Sequence, residues 1–379
     1  MHDEIQSRSE SAEDHFIRDP AYETVERDNF QAMVDVDRYD RRSHDFDAII
    51  SATHDHFWDP NDKSYVDFDL PFDMEREYLM PPERIQELRG AVLDRLDEGQ
   101  QIKLGNEIMR WQISNIIHGE QGALNLSTGL ADILLDPGAQ EYATNQAREE
   151  ARHVTGFSYY LKSRWGDAYP VGEVLGHLLE DLIKTPIVYK KLVGMQMLLE
   201  GLAMGAFANL HKHSRDPVLR RLVQLVMTDE AFHHKFGKIW ADKTIANLLP
   251  DERNRVEDWA AECFESLLFN LVNIRQKRMV YERFGLDWKW VRDSVRETYD
   301  DDERRIELKD GNNVFRVLAK TLISAGIITE RTSHVYAEWV NMKELDNESR
   351  EIPGAAAVMD GIEDLRRINS QRKLIGQKY

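Results

Sequence analysis

The sequence predicts an all-α protein: a four-helix bundle with additional flanking helices. Three observations lead there. Two carboxylates, Glu120 and Glu200, each stand 30 residues before a Glu-x-x-His pair, Glu150/His153 and Glu230/His233. Each half also carries a turn signal near its midpoint, Asp136-Pro137-Gly138 in the first and Ser214-Arg215-Asp216-Pro217 in the second. Finally, the segments around the lone glutamates, Ile116 to Leu124 and Met197 to Phe207, are apolar almost all round, as buried helices are.

Residues 1–82 are expected to form an N-terminal arm and wrapping segment. The first part, to about residue 45, is charged and lacks sustained periodicity. From His54 to Pro82, aromatics (Phe57, Trp58, Tyr65, Phe68, Phe72, Tyr78) interleave with acids and prolines. That texture disfavours a helix and is too apolar to stay loose, so the segment should wrap the bundle, as plain packing or as a lid or dimer contact. Residues 83–250 hold the bundle. A short helix over 83–98 precedes long ones over 102–135, carrying Glu120, and 138–164, carrying Glu150 and His153. Trp165 to Pro170 is a break, 171–183 a short helix, and Pro186 opens a helix to 213 that carries Glu200. Pro217 opens the helix to 247 with Glu230 and His233. The 46 residues between His153 and Glu200 exceed a tight turn and suit a long crossover.

Helix rise brings the two legs of each half back to one level. At 1.5 Å per residue the chain travels about 24 Å from Glu120 to Asp136 and about 18 Å back to Glu150. The second half closes more evenly, over 14 residues from Glu200 to Ser214 and 13 from Pro217 to Glu230. Each lone glutamate therefore faces its Glu-x-x-His across an antiparallel pair. Residues 251–345 are read as covering helices: one from an Asp251 N-cap to 284, with Trp259, Phe264, Leu267, Leu268, Leu271 and Ile274 at helical spacing, then helices near 286–299, 312–325 and 329–344. The tail, 346–379, is polar and expected to dock on a second subunit.

Composition narrows the possible functions. With 379 residues and 42% apolar content the chain can bury a large core. A net charge of −19 argues against nucleic acid and anionic membrane partners, and suits a basic partner such as an electron-donating reductase. Cys263 is the only cysteine, which rules out an intramolecular disulfide or a Cys-rich metal site and fits a reducing cytoplasm. Met1 to Phe16 does not resemble a signal peptide, and no run approaches the ~18 uninterrupted apolar residues of a membrane span.

The chemistry is expected at Glu120, Glu150, His153, Glu200, Glu230 and His233. Residues i and i+3 share a helix face, so each Glu-x-x-His converges on one point. One such pair is expected about once by chance in a chain with 13 His; two, each with a glutamate at the same upstream distance, are far harder to obtain. A buried carboxylate needs a partner or a metal, and four carboxylates with two imidazoles match a pair of iron or manganese ions in a helical bundle. Glu149 and Asp229, each preceding a Glu-x-x-His, are candidates to accept the free N–H of the opposite half's histidine, with surface acids as the plainer reading. Arg152 either pairs with one of them or faces solvent. His118 reads as structural, and His234, about 100° round the helix from His233, as an outer neighbour or surface group. His211 and His213 complement a helix C-terminus. Glycine and alanine cluster near the lone glutamates (Gly119, Gly122, Ala123, Gly201, Ala203, Gly205, Ala206). They mark either close helix approach or space for oxygen and substrate, the latter lined by Phe157, Met197, Gly201, Met204, Gly205, Phe207 and Phe232.

This pattern over roughly residues 100–245 resembles the ferritin-like di-iron carboxylate superfamily. Its branches include multicomponent monooxygenase hydroxylases, ribonucleotide reductase small subunits, acyl-carrier desaturases, arylamine N-oxygenases and benzoyl-CoA epoxidases. The resemblance implies a ferritin-like bundle with two iron ions, or a manganese–iron pair, and O₂ as co-substrate. Glu120, Glu150 and His153 would serve one metal and Glu200, Glu230 and His233 the other, with Glu150 and Glu230 bridging and no catalytic residue beyond the metal centre. It further implies a monooxygenase-type oxidation of a small organic substrate, a reductase or ferredoxin as electron donor, and a homodimer. Three positions depart from individual branches. Phe157 stands where radical-forming subunits carry a tyrosine, with Tyr160 a further turn on; Val226 replaces an extra histidine of the N-oxygenases; Met204 replaces a threonine of the hydroxylases. The oxygenase branch is therefore favoured, and the alternative is a radical-generating small subunit or a related ligand-binding oxidase.

Overall fold

The structure, a computed structural model, describes residues 22–27, 29–271, 273–298, 314–345 and 354–371. Among these, every regular element is helical, with a single isolated bridge between Thr24 and Leu134. Expectations for residues 1–21, for 299–313 and for the tail at 346–353 and 372–379 lie outside the described residues. Among the described residues, the α-helices of at least eight residues are α1 (Asp47–Asp55), α2 (Glu98–Ile133), α3 (Pro137–Trp165), α4 (Glu173–Lys184), α5 (Glu200–His213), α6 (Pro217–Thr244), α7 (Pro250–Leu271), α8 (Trp288–Thr298), α9 (Val314–Ser324) and α10 (Ala355–Ser370).

Local sequence sets the ends of the long helices. Asp97 and Gln100 form a capping box at the start of α2, each side chain accepting the other's backbone N–H at 2.8 and 3.0 Å. The α3 and α6 helices start alike. Asp136 and Asp216 are N-caps whose carboxylates accept from Gly138 N and Val218 N, and each is followed by proline at N1, where a missing N–H costs nothing. Asp216 is also wholly buried and accepts from Tyr160 Oη and from the Arg164 guanidinium, which ties the α6 start to the far end of α3. Gly166, at φ +89°, ends α3.

The four long elements lie side by side: α2 along α3, α5 along α6, and α3 against α6. Two apolar cores fill the space between them. One gathers Leu126, Tyr142, Met197 and Phe236; the other gathers Ile113, Phe157, Phe207 and Leu222. On every one of the four elements the predicted ligand lies between a residue of the first core and a residue of the second. The polar cluster is therefore sandwiched between two dry layers.

Several elements differ from expectation. The run 83–98 is not one helix: Pro82–Arg84 is a 3₁₀ turn and Gly90–Arg95 a short helix, because Gly90 takes φ +53° and the capping box restarts the chain at Asp97. The arm holds short helices, Phe30–Met33 and Val36–Tyr39, before α1. The helix expected over 251–284 stops at Leu271 and begins at Pro250, so Asp251 lies in its first turn; a 3₁₀ turn, Ile274–Lys277, and a short helix, Arg278–Glu282, follow. Likewise 329–344 resolves into Ser333–Ala337 and Met342–Leu345. In the tail, α10 packs on α6 of its own chain, burying Val358, Gly361, Ile362 and Leu365, so this apolar face is already covered.

The helix expected from Pro186 is not uniform. It starts at Val188, winds as a π-helix over Leu192–Leu199, and becomes α-helical at Glu200, whose N–H donates to Met195 O five residues back. The span Val188–His213 is long and apolar enough to cross a membrane by length and composition, and most of it is buried inside the fold. Packing explains the company it keeps. A Cβ on Gly237 of α6 would come within 2.9 Å of Gln196 Cβ and 3.4 Å of Gln196 O, so only glycine admits the widened π turn there.

Candidate metal centre

All six predicted ligands converge, from four elements. Glu120 comes from α2, Glu150 and His153 from α3, Glu200 from the first residue of α5, and Glu230 and His233 from α6. Four of them are fully buried, and Glu120 and Glu200 are nearly so at 6% and 3% exposure. Donor atoms of Glu120, Glu150, His153 and Glu230 lie within 4.8 Å of one another, as do those of Glu150, Glu200, Glu230 and His233. Glu150 and Glu230 belong to both sets. Both imidazoles present Nδ1 inward. His153 Nδ1 lies 3.2 Å from Glu120 Oε2, 3.2 Å from Glu150 Oε2 and 3.1 Å from Glu230 Oε1; His233 Nδ1 lies 3.0 Å from Glu230 Oε2 and 3.1 Å from Glu150 Oε1.

The outward nitrogens are held crosswise. His153 Nε2 is 2.8 Å from Asp229 Oδ2 and His233 Nε2 is 2.9 Å from Glu149 Oε2, so each half's outer acid orients the other half's ring. Arg152 donates to Asp229 Oδ2 at 2.6 Å rather than facing solvent. Burial pushes the Asp229 carboxyl up, yet Arg152, His153 and His56 outweigh it and hold it well below the usual range.

Electrostatics tests whether this donor set fits metal ions. Burial pushes the Glu120 and Glu200 carboxyls well above the ordinary value, which favours their protonated form. Burial pushes Glu150 and Glu230 the same way, but the two imidazoles outweigh it and keep both carboxyls ionised. Burial lowers the two histidines, and the surrounding carboxylates more than reverse this, raising both well above their ordinary value. With neutral rings and ionised carboxyls the six side chains would carry four negative charges, and the upward shifts of Glu120, Glu200, His153 and His233 show the site drawing in positive charge. Two divalent cations would supply four positive charges and leave the imidazoles neutral, the form that binds metal. Carboxylate oxygen with imidazole nitrogen is a donor set suited to iron or manganese. The residues fit a metal pair.

Several neighbours carry no local sequence signal. His56 and Trp58, from the end of α1 and the segment after it, reach Asp229: His56 Nε2 sits 3.3 Å from Oδ1, and Trp58 Nε1 donates to Oδ2 at 2.8 Å. Gln146, one turn before Glu150, donates through Nε2 to both Glu150 Oε1 and Glu200 Oε1 at 3.1 Å, and Gln196 of the π turn donates to its Oε1 at 2.9 Å. Tyr142 is wholly buried in the first core.

The residues expected to line a substrate space are distributed differently. Phe157, Met204 and Phe207 lie packed in the second core, with Phe157 stacked on Phe207 at 5.8 Å. A Cβ on Gly201 would meet Leu318 at 3.1 Å, and one on Gly122 would meet Leu179 at 2.5 Å, so these glycines serve close helix approach rather than open space. Gly205 is buried on α5, and Phe232 stacks on the His56 ring at 4.8 Å. Met197 lines a crevice between α6, α9 and the π turn, together with His234, Lys238, Thr321, Ser324 and Ala325, that is too narrow to admit a water molecule. His234 is half-buried, with Nε2 2.9 Å from Thr321 Oγ1; His118 Nε2 lies 2.9 Å from Tyr169 O. No family model matches the chain, and no curated protein matches it.

Proposed function

We propose that this chain is a ferritin-like di-iron oxygenase that uses O₂ to oxidise an organic substrate. The observation that carries the reading is that Glu150 and Glu230 belong to both donor sets, which is what a carboxylate-bridged pair of ions requires. Two bound iron ions would supply the electrons and the open coordination positions for reducing O₂ and delivering an oxygen atom. The protein's own part is to hold and orient. Glu120 and Glu200 would cap the two ends of the pair, while His153 and His233 present Nδ1 inward with their rings fixed by Asp229 and Glu149. The two apolar cores on either side keep bulk water away. A basic electron-donating reductase would suit the acidic surface.

The test is metal analysis of the purified protein, then spectroscopy of the reduced form exposed to O₂ with candidate substrates. About two ions per chain are expected. A well-folded preparation that stays empty after iron or manganese supplementation refutes the reading. A second reading, a radical-generating subunit, is favoured by one observation: Tyr142, two turns before Glu150 on the same helix, is wholly buried and its hydroxyl has no hydrogen-bond partner. An organic radical persisting after O₂ exposure, and lost in Tyr142→Phe, would select it.

A further inference from the structure

The two outer carboxylates each use one oxygen on a ligand ring: Glu149 Oε2 on His233 and Asp229 Oδ2 on His153. Their remaining oxygens turn toward the same atom. His56 Nε2 lies 3.3 Å from Asp229 Oδ1 and 3.9 Å from Glu149 Oε1. The ring is 1% exposed, and neither its Nε2 nor Asp229 Oδ1 has a hydrogen-bond partner, so each is the other's nearest complementary polar contact. Phe232 lies flat on it, with centroids 4.8 Å apart and planes within 7°, which leaves the imidazole little freedom to turn. An unbroken run of polar side chains therefore joins the two halves from outside: His233, Glu149, His56, Asp229, His153.

We propose that His56 is a positioning residue that ties the two outer carboxylates together, so that one imidazole keeps both ligand histidines in register. Asp229 and Glu149 each act on one ring only. Trp58 likewise reaches only Asp229, and so only His153. Besides the Arg152 guanidinium, which sits beside Asp229 Oδ2, His56 is the neighbour that reaches the outer acids of both halves, and it does so through Asp229 Oδ1 and Glu149 Oε1. The three side chains His56, Glu149 and Asp229 could instead enclose a third cation. The Arg152 guanidinium, 2.6 Å from Asp229 Oδ2 and 3.9 Å from Glu149 Oε1, already supplies positive charge there, which favours the tie. The effect on metal affinity rests on the two-metal reading; the effect on the histidine rings does not.

The experiment uses the full chain with ¹⁵N-labelled histidine. The Nε2–H signals of His153 and His233 are followed in metal-free protein, and Fe²⁺ or Mn²⁺ alone is titrated without oxygen. His56→Phe, which keeps the stack on Phe232 and removes the nitrogen, is expected to move both signals and to weaken both ions about 10-fold or more. His56→Gln, whose amide nitrogen can occupy the place of Nε2, should restore most of this, and Trp58→Phe should move the His153 signal only. Should His56→Phe not fold, His56→Gln is compared with the shorter His56→Asn; Gln is expected to match wild type and Asn to move both signals. The proposal is overturned if a folded His56→Phe moves one signal or neither, if Asn behaves as Gln does, or if wild type binds a third ion that His56→Phe loses. A wild type that takes up no metal would defeat the proposed function while the ring signals still decide the role of His56.

Discussion

Replacing Glu120 and Glu200 together by glutamine should make the metal-stripped protein more stable at neutral pH and leave it unable to hold a metal pair tightly. Burial raises both carboxyls, which favours two protons in the folded state that the unfolded chain sheds above about pH 4.5. Where the native state binds more protons than the unfolded one, stability falls as pH rises. One proton corresponds to about 1.4 kcal/mol per pH unit, so two give about 2.7 kcal/mol per pH unit between roughly pH 5 and 6.5. Above about pH 6.5 the raised His153 and His233 act in the same direction and steepen the loss. Urea denaturation in chelator across this range measures it. Wild type should decline with pH, less steeply than the two carboxyls alone dictate, because burial lowers His234 to about 4 and this adds stability as pH rises toward 6.5. E120Q/E200Q should lose the decline and rise with pH. Calorimetry in buffers of different ionisation enthalpy supplies the second readout, because two ions entering wild type should release protons. Metal-stripped wild type whose stability rises with pH from 5 to 6.5, or metal uptake without proton release, would refute the charge accounting.

Gly237→Ala should cost about 1–3 kcal/mol by pressing on Gln196 in the π turn, whereas Gly129→Ala, with open space around the new methyl, should gain about 0.5–1 kcal/mol; urea melts of the two variants check both signs. Asp216→Ala removes an N-cap and strands the Arg164 guanidinium, so a loss of about 3–5 kcal/mol is expected in the same measurement, and an unchanged midpoint would contradict the assignment. Burial pushes the Cys263 thiol up to about 12, so a thiol reagent at pH 8 should leave the native protein unlabelled and react with it only in denaturant.

The bundle and its ligands were legible because their signals are local and periodic. A 30-residue interval, an i,i+3 pair and an Asp-Pro turn are each visible in a short window, and each constrains a helix face or a helix end. What stayed hidden depends on the third dimension. His56 and Trp58 lie more than 90 residues before Glu150 in sequence and read as ordinary members of an aromatic, acidic stretch. The π turn arises from a one-residue shift in backbone hydrogen bonding within an apolar run, and nothing in Leu192 to Leu199 distinguishes it from an α-helix. The glycines beside the ligands had two physical explanations of equal reach. Only the positions of Leu179 and Leu318, from helices distant in the chain, separate them.

Asn369, near the end of α10, donates from Nδ2 to the carbonyl of Phe57 at 2.9 Å and accepts from the hydroxyl of Tyr65. Phe57 stands between His56 and Trp58, so a residue some 310 positions away clasps the very loop that steadies the outer acids. Proteolytic loss of α10 would thus be felt at the heart of the molecule, as a slackened grip on both rings, long before the bundle itself came apart.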